Sequence, residues 1–275
     1  MNRAMRRTLL TVATVAVVVF SAFPFFWMAS TAFKPDSEIF TETPHWLPAA
    51  PTLEQFRIAL ARGGIGRFFL NSAMVAVATT VLSVIVAALA AVAVSRFRFR
   101  GRTQLLVMIL VVQMVPLEAL VIPLFIIMRE ADLLNTLASL VIAYITFALP
   151  FAVWMLKGFV DAVPVELEEA AMVDGASRLG AYWRILFPLV APGLVATSIF
   201  SFIEAWNEFL LALTFLQDQQ KFTLPIALNS FIGEYSTAWG PVMAASLVFT
   251  VPVLVFFLVV QRRLATGLAQ GAVKG

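Results

Sequence analysis

At 275 residues, 61% hydrophobic and 13% charged, with a mean hydropathy of +0.93, the chain lies far outside soluble composition and calls for several membrane spans. It has no cysteine, which excludes a disulfide framework, a zinc–thiolate site and a cysteine nucleophile; its single histidine, His45, sits in a proline-rich loop and is a poor candidate ligand. The net charge of +3 carries no case for nucleic acid, and what matters is where the charges fall.

The apolar runs are long and continuous rather than short and alternating. They read as helices, each needing about 20 residues to cross a hydrocarbon core of ~30 Å, and not as barrel strands. The fold class expected is all-α, a polytopic membrane protein with six transmembrane helices.

Residues 1–8 carry Arg3, Arg6 and Arg7 ahead of an apolar run from about Leu9 to Met28. That run is long enough to span, and no convincing small-residue cleavage site follows a short core, so it reads as an uncleaved first span. The loop 30–67 is polar and holds Pro35, Pro44, Pro48 and Pro51. Within it Thr52 and Gln55 have capping-box spacing, which predicts a short amphipathic helix from there. The second span is expected at about Phe69 to Val94. Ser95 to Arg102 is a tight basic loop in which arginines alternate with phenylalanines. This reads as a short turn anchored by arginines and interfacial rings, and not as a nucleic-acid surface.

The third span, about Gln104 to Met128, contains Pro116, Glu118 and Pro123; a polar link, Arg129 to Thr136, leads to the fourth, about Leu137 to Leu156. A long polar interruption, 157–188, follows. The fifth span, about Leu189 to Leu213, carries Glu204, Asn207 and Glu208; a loop from Gln217 to Gly240 leads to the sixth, about Pro241 to Val260, and residues 261–275 form a tail. The spanning domain is thus 9–260. Six spans put both ends on one side. Thirteen of the 19 Lys and Arg residues fall on that side, so the positive-inside rule places both termini and the 157–188 loop in the cytoplasm.

Within that loop, Pro164 suits a first helical position, where its missing N–H needs no partner. Glu166, Glu168 and Glu169 then lie near the positive end of the helix dipole. Ala170 and Ala171 offer a small, flat surface for another protein. Asp174-Gly175 is a turn signal, and Gly175 suits a helix C-terminus that needs φ > 0. A second amphipathic segment runs from Ser177 to Phe187, ahead of Pro188.

Acids inside spans are costly and usually face a bundle interior or a wet cavity. Glu118 lies mid-span between two prolines. Glu204 and Glu208 are i, i+4 and share a helix face, with Asn207 beside them; Glu204 lies about 20 Å along the span from Val190 at ~1.5 Å per residue. These groups are candidates to hydrogen-bond a polar cargo on a path through the membrane, with Trp206 as a stacking surface, or else to pair with neighbouring spans or a partner chain. No metal-ligand cluster is evident. There is no GxxxxGK[ST] run, so any ATP power must come from a separate subunit, and neither HExxH nor GxSxG occurs. The chain is not expected to be an enzyme.

The loop resembles the EAA loop of ABC importer permeases, with Glu169-Ala170-Ala171, Gly175, Ile185 and Pro188 in register and Phe187 where that family usually has Leu. Pro51-Thr52-Leu53, Phe68 and Asn71-Ser72 are similar to the sugar-importer branch. Ala205-Trp206-Asn207-Glu208-Phe209 and the ending Gly267-Leu268 … Gly271-Ala272-Val273-Lys274-Gly275 resemble the smaller permease subunit of carbohydrate ABC importers of the maltose/trehalose/glycerol-phosphate type. The resemblance implies a maltose-importer-like permease fold in a bacterial inner (plasma) membrane. It implies a homologous second permease, a dimer of ATPase subunits that bind ATP and Mg, an extracytoplasmic solute-binding protein and a sugar cargo. It also implies that Glu168, Glu169, Ala170, Ala171, Asp174 and Gly175 couple to the ATPase, and that the tail Gly271–Gly275 reaches into the ATPase interface. The alternative from another class is a proton-coupled secondary transporter that titrates Glu118, Glu204 and Glu208.

Overall fold

A computed structural model describes the backbone of residues 3–61, 64–233 and 237–271, and the side chains of 5–61, 64–233 and 237–259. The described residues are helical, with no strand among them beyond an isolated bridge between Ile232 and Thr237. In chain order the helices are α1 Arg3–Ala32, α2 Asp36–Ile39, α3 Glu54–Ala61, α4 Ile65–Arg96, α5 Arg102–Val112, α6 Leu117–Glu130, α7 Leu137–Asp161, α8 Glu166–Val173, α9 Arg178–Ala181, α10 Phe187–Leu189, α11 Ala191–Asn207, α12 Leu210–Phe215, α13 Leu224–Asn229 and α14 Trp239–Gly271.

Among the described residues, four helices are long and apolar enough to cross a membrane, and six spans result if each of two bent pairs is one crossing. The expected first, second, fourth and sixth spans fall within α1, α4, α7 and α14. The third and fifth differ from straight rods. Helices α5 and α6 meet at 100°. Pro116 causes the break: it disfavours helix at the residue before it and donates no N–H. Gln113, Met114 and Val115 close instead as turns onto Leu110, Val111 and Val112, and Pro116 becomes the extended N-cap of α6. In the fifth span α11 ends at Asn207, Glu208 is extended at ψ 129°, and α12 restarts at Leu210. At its other end α11 meets the Arg178–Leu189 helix at 72°. There Tyr182–Leu186 forms a π-helical turn ahead of Pro188, whose ring would crowd the carbonyl four residues back in a regular helix.

Two units pack separately. The first is Met1–Gly66 with Ala227–Pro252. Along α1, residues 5–26 are exposed, which suits a helix whose surroundings are lipid. The loop after it folds on polar anchors. Lys34 is buried, donates to the His45 carbonyl at 2.5 Å and lies 4.6 Å from the Trp27 ring centre. Ser30 donates to the Trp46 carbonyl at 2.7 Å. The capping box expected at Thr52 and Gln55 is half formed. Thr52 Oγ1 accepts from Glu54 N at 3.1 Å, but the Gln55 amide turns inward to the Lys34 carbonyl and Asp36 Oδ1, at 3.0 and 2.9 Å. Gly240 lies against Gln55 so closely that a Cβ there would meet it at 2.3 Å.

The second unit is Arg67–Ile226 with Val253–Gly275. Its core joins Ala87, Ala88, Ala91 and Val92 of α4 to Ala152, Val153, Leu156 and Val160 of α7, with Leu186 and Val190. Lipid offers no hydrophobic drive between helices, so small residues that permit close backbone packing are the expected seam. Asn71 donates to the carbonyls of Gln220 and Phe222, both at 3.0 Å, and Ser72 Oγ accepts from Leu224 N at 2.8 Å. These two residues thereby hold the segment that follows α12. Asn135, at φ 58°, accepts from the N–H groups of Gln217 and Asp218. Of the tail, Ala272, Val273, Lys274 and Gly275 lie outside the described residues, as does the side-chain environment of Gly271 at the end of α14.

Candidate functional site

Two places in the second unit gather the residues singled out from sequence. The first is the bent segment around α8. The helix starts at Glu166, two residues after Pro164, because Pro164 and Val165 form the turn whose carbonyls receive the N–H groups of Leu167 and Glu168. The three glutamates do fall in the first turn. Its end is a Schellman motif: Ala176 N donates to the Ala171 carbonyl at 2.9 Å and Gly175 N to the Met172 carbonyl at 3.1 Å, with Gly175 at φ 91°. Ser177 then caps α9 by accepting from Gly180 N at 3.1 Å.

The glutamates divide between two faces. Glu168 is buried; its Oε1 accepts a hydrogen bond from Arg96 Nε at 2.8 Å and lies 2.8 Å from an Nη of the same guanidinium as an ion pair. That same Nη donates to the Val163 carbonyl at 2.9 Å. Arg96 closes α4, so the pair bolts the start of α8 to the end of a long apolar helix. Glu169, Ala170, Asp174 and Gly175 are exposed, while Ala171 is half-buried. Around them Leu167, Leu179 and Trp183 are exposed, and Val173 is 88% exposed. Beneath this face lies a cavity of about 390 Å³ that includes Arg96, Arg98, Arg102, Glu169 and Tyr182. Burial and, after it, the charge of Glu168 raise the Tyr182 phenol above its ordinary range.

The second place is a cavity of about 350 Å³ walled by α4, the α5–α6 break, α7, α11 and the start of α12. It brings together Thr79, Gln113, Tyr144, Phe147, Phe200, Ser201, Glu204 and Glu208. Glu204 and Glu208 thus share a cavity, as their i, i+4 spacing predicts. Their situations differ. Glu208 accepts from the Tyr144 hydroxyl at 2.5 Å and from Leu211 N and Ala212 N at 2.7 and 3.2 Å, so it caps α12 at the break in the fifth span. Glu204 is exposed and has no hydrogen bond or ion pair with another described residue.

The other three sequence candidates lie elsewhere. Trp206 is 1% exposed, packed on Phe69 and Phe202 at 5.6 Å between ring centres. Its ring is enclosed within this chain and does not line the cavity. Asn207 is exposed and donates back to the Ile203 carbonyl at 2.8 Å, and Glu118 is exposed in the first turn of α6; neither lines the cavity. Sequence reasoning missed Arg96, which one arginine in a basic row does not advertise, and Thr79, Ser201 and Tyr144. The hydroxyls inside apolar spans were the available signal.

Residues 83–269 match the family described as binding-protein-dependent transport system inner membrane component. The chain is 42% identical over 264 residues to the diacetylchitobiose uptake system permease protein DasC of Streptomyces coelicolor, covering 96% of each. It is 36% identical to the sulfoquinovosyl glycerol transport system permease protein SmoH of Agrobacterium fabrum, covering 96% of this chain and 93% of that one. Its fold is similar to a chain in the crystal structure of a bacterial ABC transporter involved in import of the acidic polysaccharide alginate, with a TM-score of 0.80, 22% identity and coverage of 95% and 98%. With the bent loop, the broken spans and the full-length likeness in place, the chain belongs to the binding-protein-dependent inner-membrane transport components, as a permease of the carbohydrate ABC importer kind.

Proposed function

We propose that this chain forms half of the path by which an ATP-driven importer moves a sugar or oligosaccharide inward, beside a homologous second permease. An ATPase dimer that binds ATP and Mg docks on the exposed side of α8, an extracytoplasmic binding protein delivers the cargo, and both termini lie in the cytoplasm. The observation that carries this reading is the division of α8: Glu168 locked to Arg96 on one side, and Glu169, Ala170, Asp174 and Gly175 bare on the other. A short helix rigidly tied to a long one is suited to pass on a push received at its free face. The skew of Lys and Arg toward that side supports its placement in the cytoplasm. The relatives' sugar cargoes support a carbohydrate for this chain. The terminal Gly271–Gly275 sequence supports a tail that reaches the ATPase interface.

In this reading ATP binding closes the ATPase dimer, α8 is carried with it, and the bundle turns from inward- to outward-facing. The chain itself has no P-loop, so it contributes no nucleotide chemistry. The proton-coupled alternative finds no support in the comparisons. The test is a cysteine at Val173, cross-linked in membranes that also express the partner genes. An adduct with the ATPase subunit that forms or breaks on adding ATP is expected. Failure of α8 to reach any nucleotide-hydrolysing chain in an otherwise transporting complex would sink the proposal.

A further inference from the structure

We infer that the 350 Å³ cavity selects cargo that carries hydroxyl groups and no negative charge, and that Glu204 is the residue that sets this preference. The inference rests on the reading that this chain forms half of a sugar pathway, and it concerns which sugars that half admits.

The polar groups of the wall are of three kinds. Glu208 is already occupied: one oxygen accepts from Tyr144 and Ala212 N, the other from Leu211 N. Thr79 and Ser201 are fully buried residues in the cavity wall, and the hydroxyl oxygen of each has no hydrogen-bond partner among the described residues. Buried hydroxyls are normally satisfied, so two unpaired ones on a single cavity wall point to a partner that the protein itself does not supply. Glu204 is the third kind, an acceptor-only group without a partner among the described residues. A sugar hydroxyl can donate to Glu204 while the apolar face of its ring lies on Phe147 or Phe200, and rotation of the buried Thr79 or Ser201 hydroxyl toward the cavity gives it a further partner.

Charge then decides among sugars. Among the described residues, the cavity wall has two carboxylates and no lysine, arginine or histidine. A uronate, sulfonate or phosphate brought there meets charge of its own sign between low-dielectric walls, where the repulsion is stronger than in water. Glu208 has its charge offset by the α12 N–H groups, so Glu204 dominates the field.

The chain has no native cysteine, which makes the field directly measurable. Gln113→Cys, at an exposed position on the cavity wall, is placed in the complete importer, and its modification is followed by mass spectrometry of this chain with cationic and anionic methanethiosulfonate reagents. Their rate ratio cancels changes in the reactivity of the thiol. The cationic reagent is expected to react at least ~10-fold faster, the scale on which a lined cleft concentrates an ion. Glu204→Gln should bring the ratio close to one and Glu204→Lys should invert it. Glucose at high concentration should slow the reaction and glucuronate should not. An anionic reagent as fast as the cationic one, a ratio unchanged by Glu204→Gln, protection by glucuronate equal to that by glucose, or no protection by glucose would each overturn the inference. Loss of the permease reading itself shows separately, as failure of the chain to purify with an ATPase.

Discussion

Arg96 holds Glu168 through two nitrogens at 2.8 Å in a site where both side chains are under a tenth exposed, so the end of α4 and the start of α8 move as one piece. The pair is desolvated, and removing either member strands the other as a buried charge, a loss of ~3–5 kcal/mol. Arg96→Ala and Glu168→Ala are each expected to lower the midpoint of thermal unfolding and to abolish import. The double replacement Arg96→Met with Glu168→Leu should recover much of the stability without the transport. Losses that simply add when Arg96→Ala is combined with Glu168→Ala would show that the two residues do not act as a pair.

Gly175 gives a second prediction with a different cause. A Cβ at this position meets nothing within 4 Å, so a substitution is opposed by the backbone at φ 91° and not by crowding. A branched residue there should cost ~1–2 kcal/mol of local conformational energy. Gly175→Val is expected to reshape the bend, Gly175→Asn to be tolerated better, and Gly175→Asp to place a charge on the exposed face. In a purified complex Gly175→Asp should hydrolyse ATP without moving sugar. Wild-type rates of both would count decisively against a coupling role for the bend.

The break in the fifth span depends on Glu208. Tyr144→Phe removes one hydrogen bond to a charged group and should cost ~1.5–3 kcal/mol. Glu208→Ala also uncaps α12, which adds ~0.5–2 kcal/mol. Thermal unfolding in detergent checks the order, with Glu208→Ala the less stable. If Tyr144→Phe proves the more damaging, the capping bonds to Leu211 and Ala212 contribute less than the geometry implies.

Gly193 has no room for a side chain: a Cβ would lie 2.4 Å from Phe159 Cγ and 2.9 Å from its Cβ. Contact so near the root of the ring cannot be relieved by a rotamer change, and overpacking of this kind costs ~1–3 kcal/mol. Gly193→Ala should therefore reduce the yield of folded protein, and adding Phe159→Ala should restore it. A Gly193→Ala variant as stable as wild type would mean that α7 and α11 separate more easily than their packing suggests.

The membrane class, the apolar spans, the loop between the fourth and fifth of them and the left-handed Gly175 were legible from residue order, because each follows from hydropathy or from a backbone preference that acts over a few residues. The same local rules placed Glu204 and Glu208 on one face. They did not show that Pro116 turns the third span through 100°, because a proline inside an apolar run permits a kink without setting its angle. Nor did they separate the two acids. Glu208 is occupied because Tyr144 comes within 2.5 Å from a helix 64 residues earlier, and Glu204 is open because nothing described reaches it. Glu168 points inward for a similar reason, since Arg96 lies 72 residues before it and no short-range pattern links the two. Propensity, period and charge bias act along the chain and so were determined by the sequence alone. Which polar groups find partners is a matter of distance through space, and only the packing of α4, α7, α8 and α11 decided it.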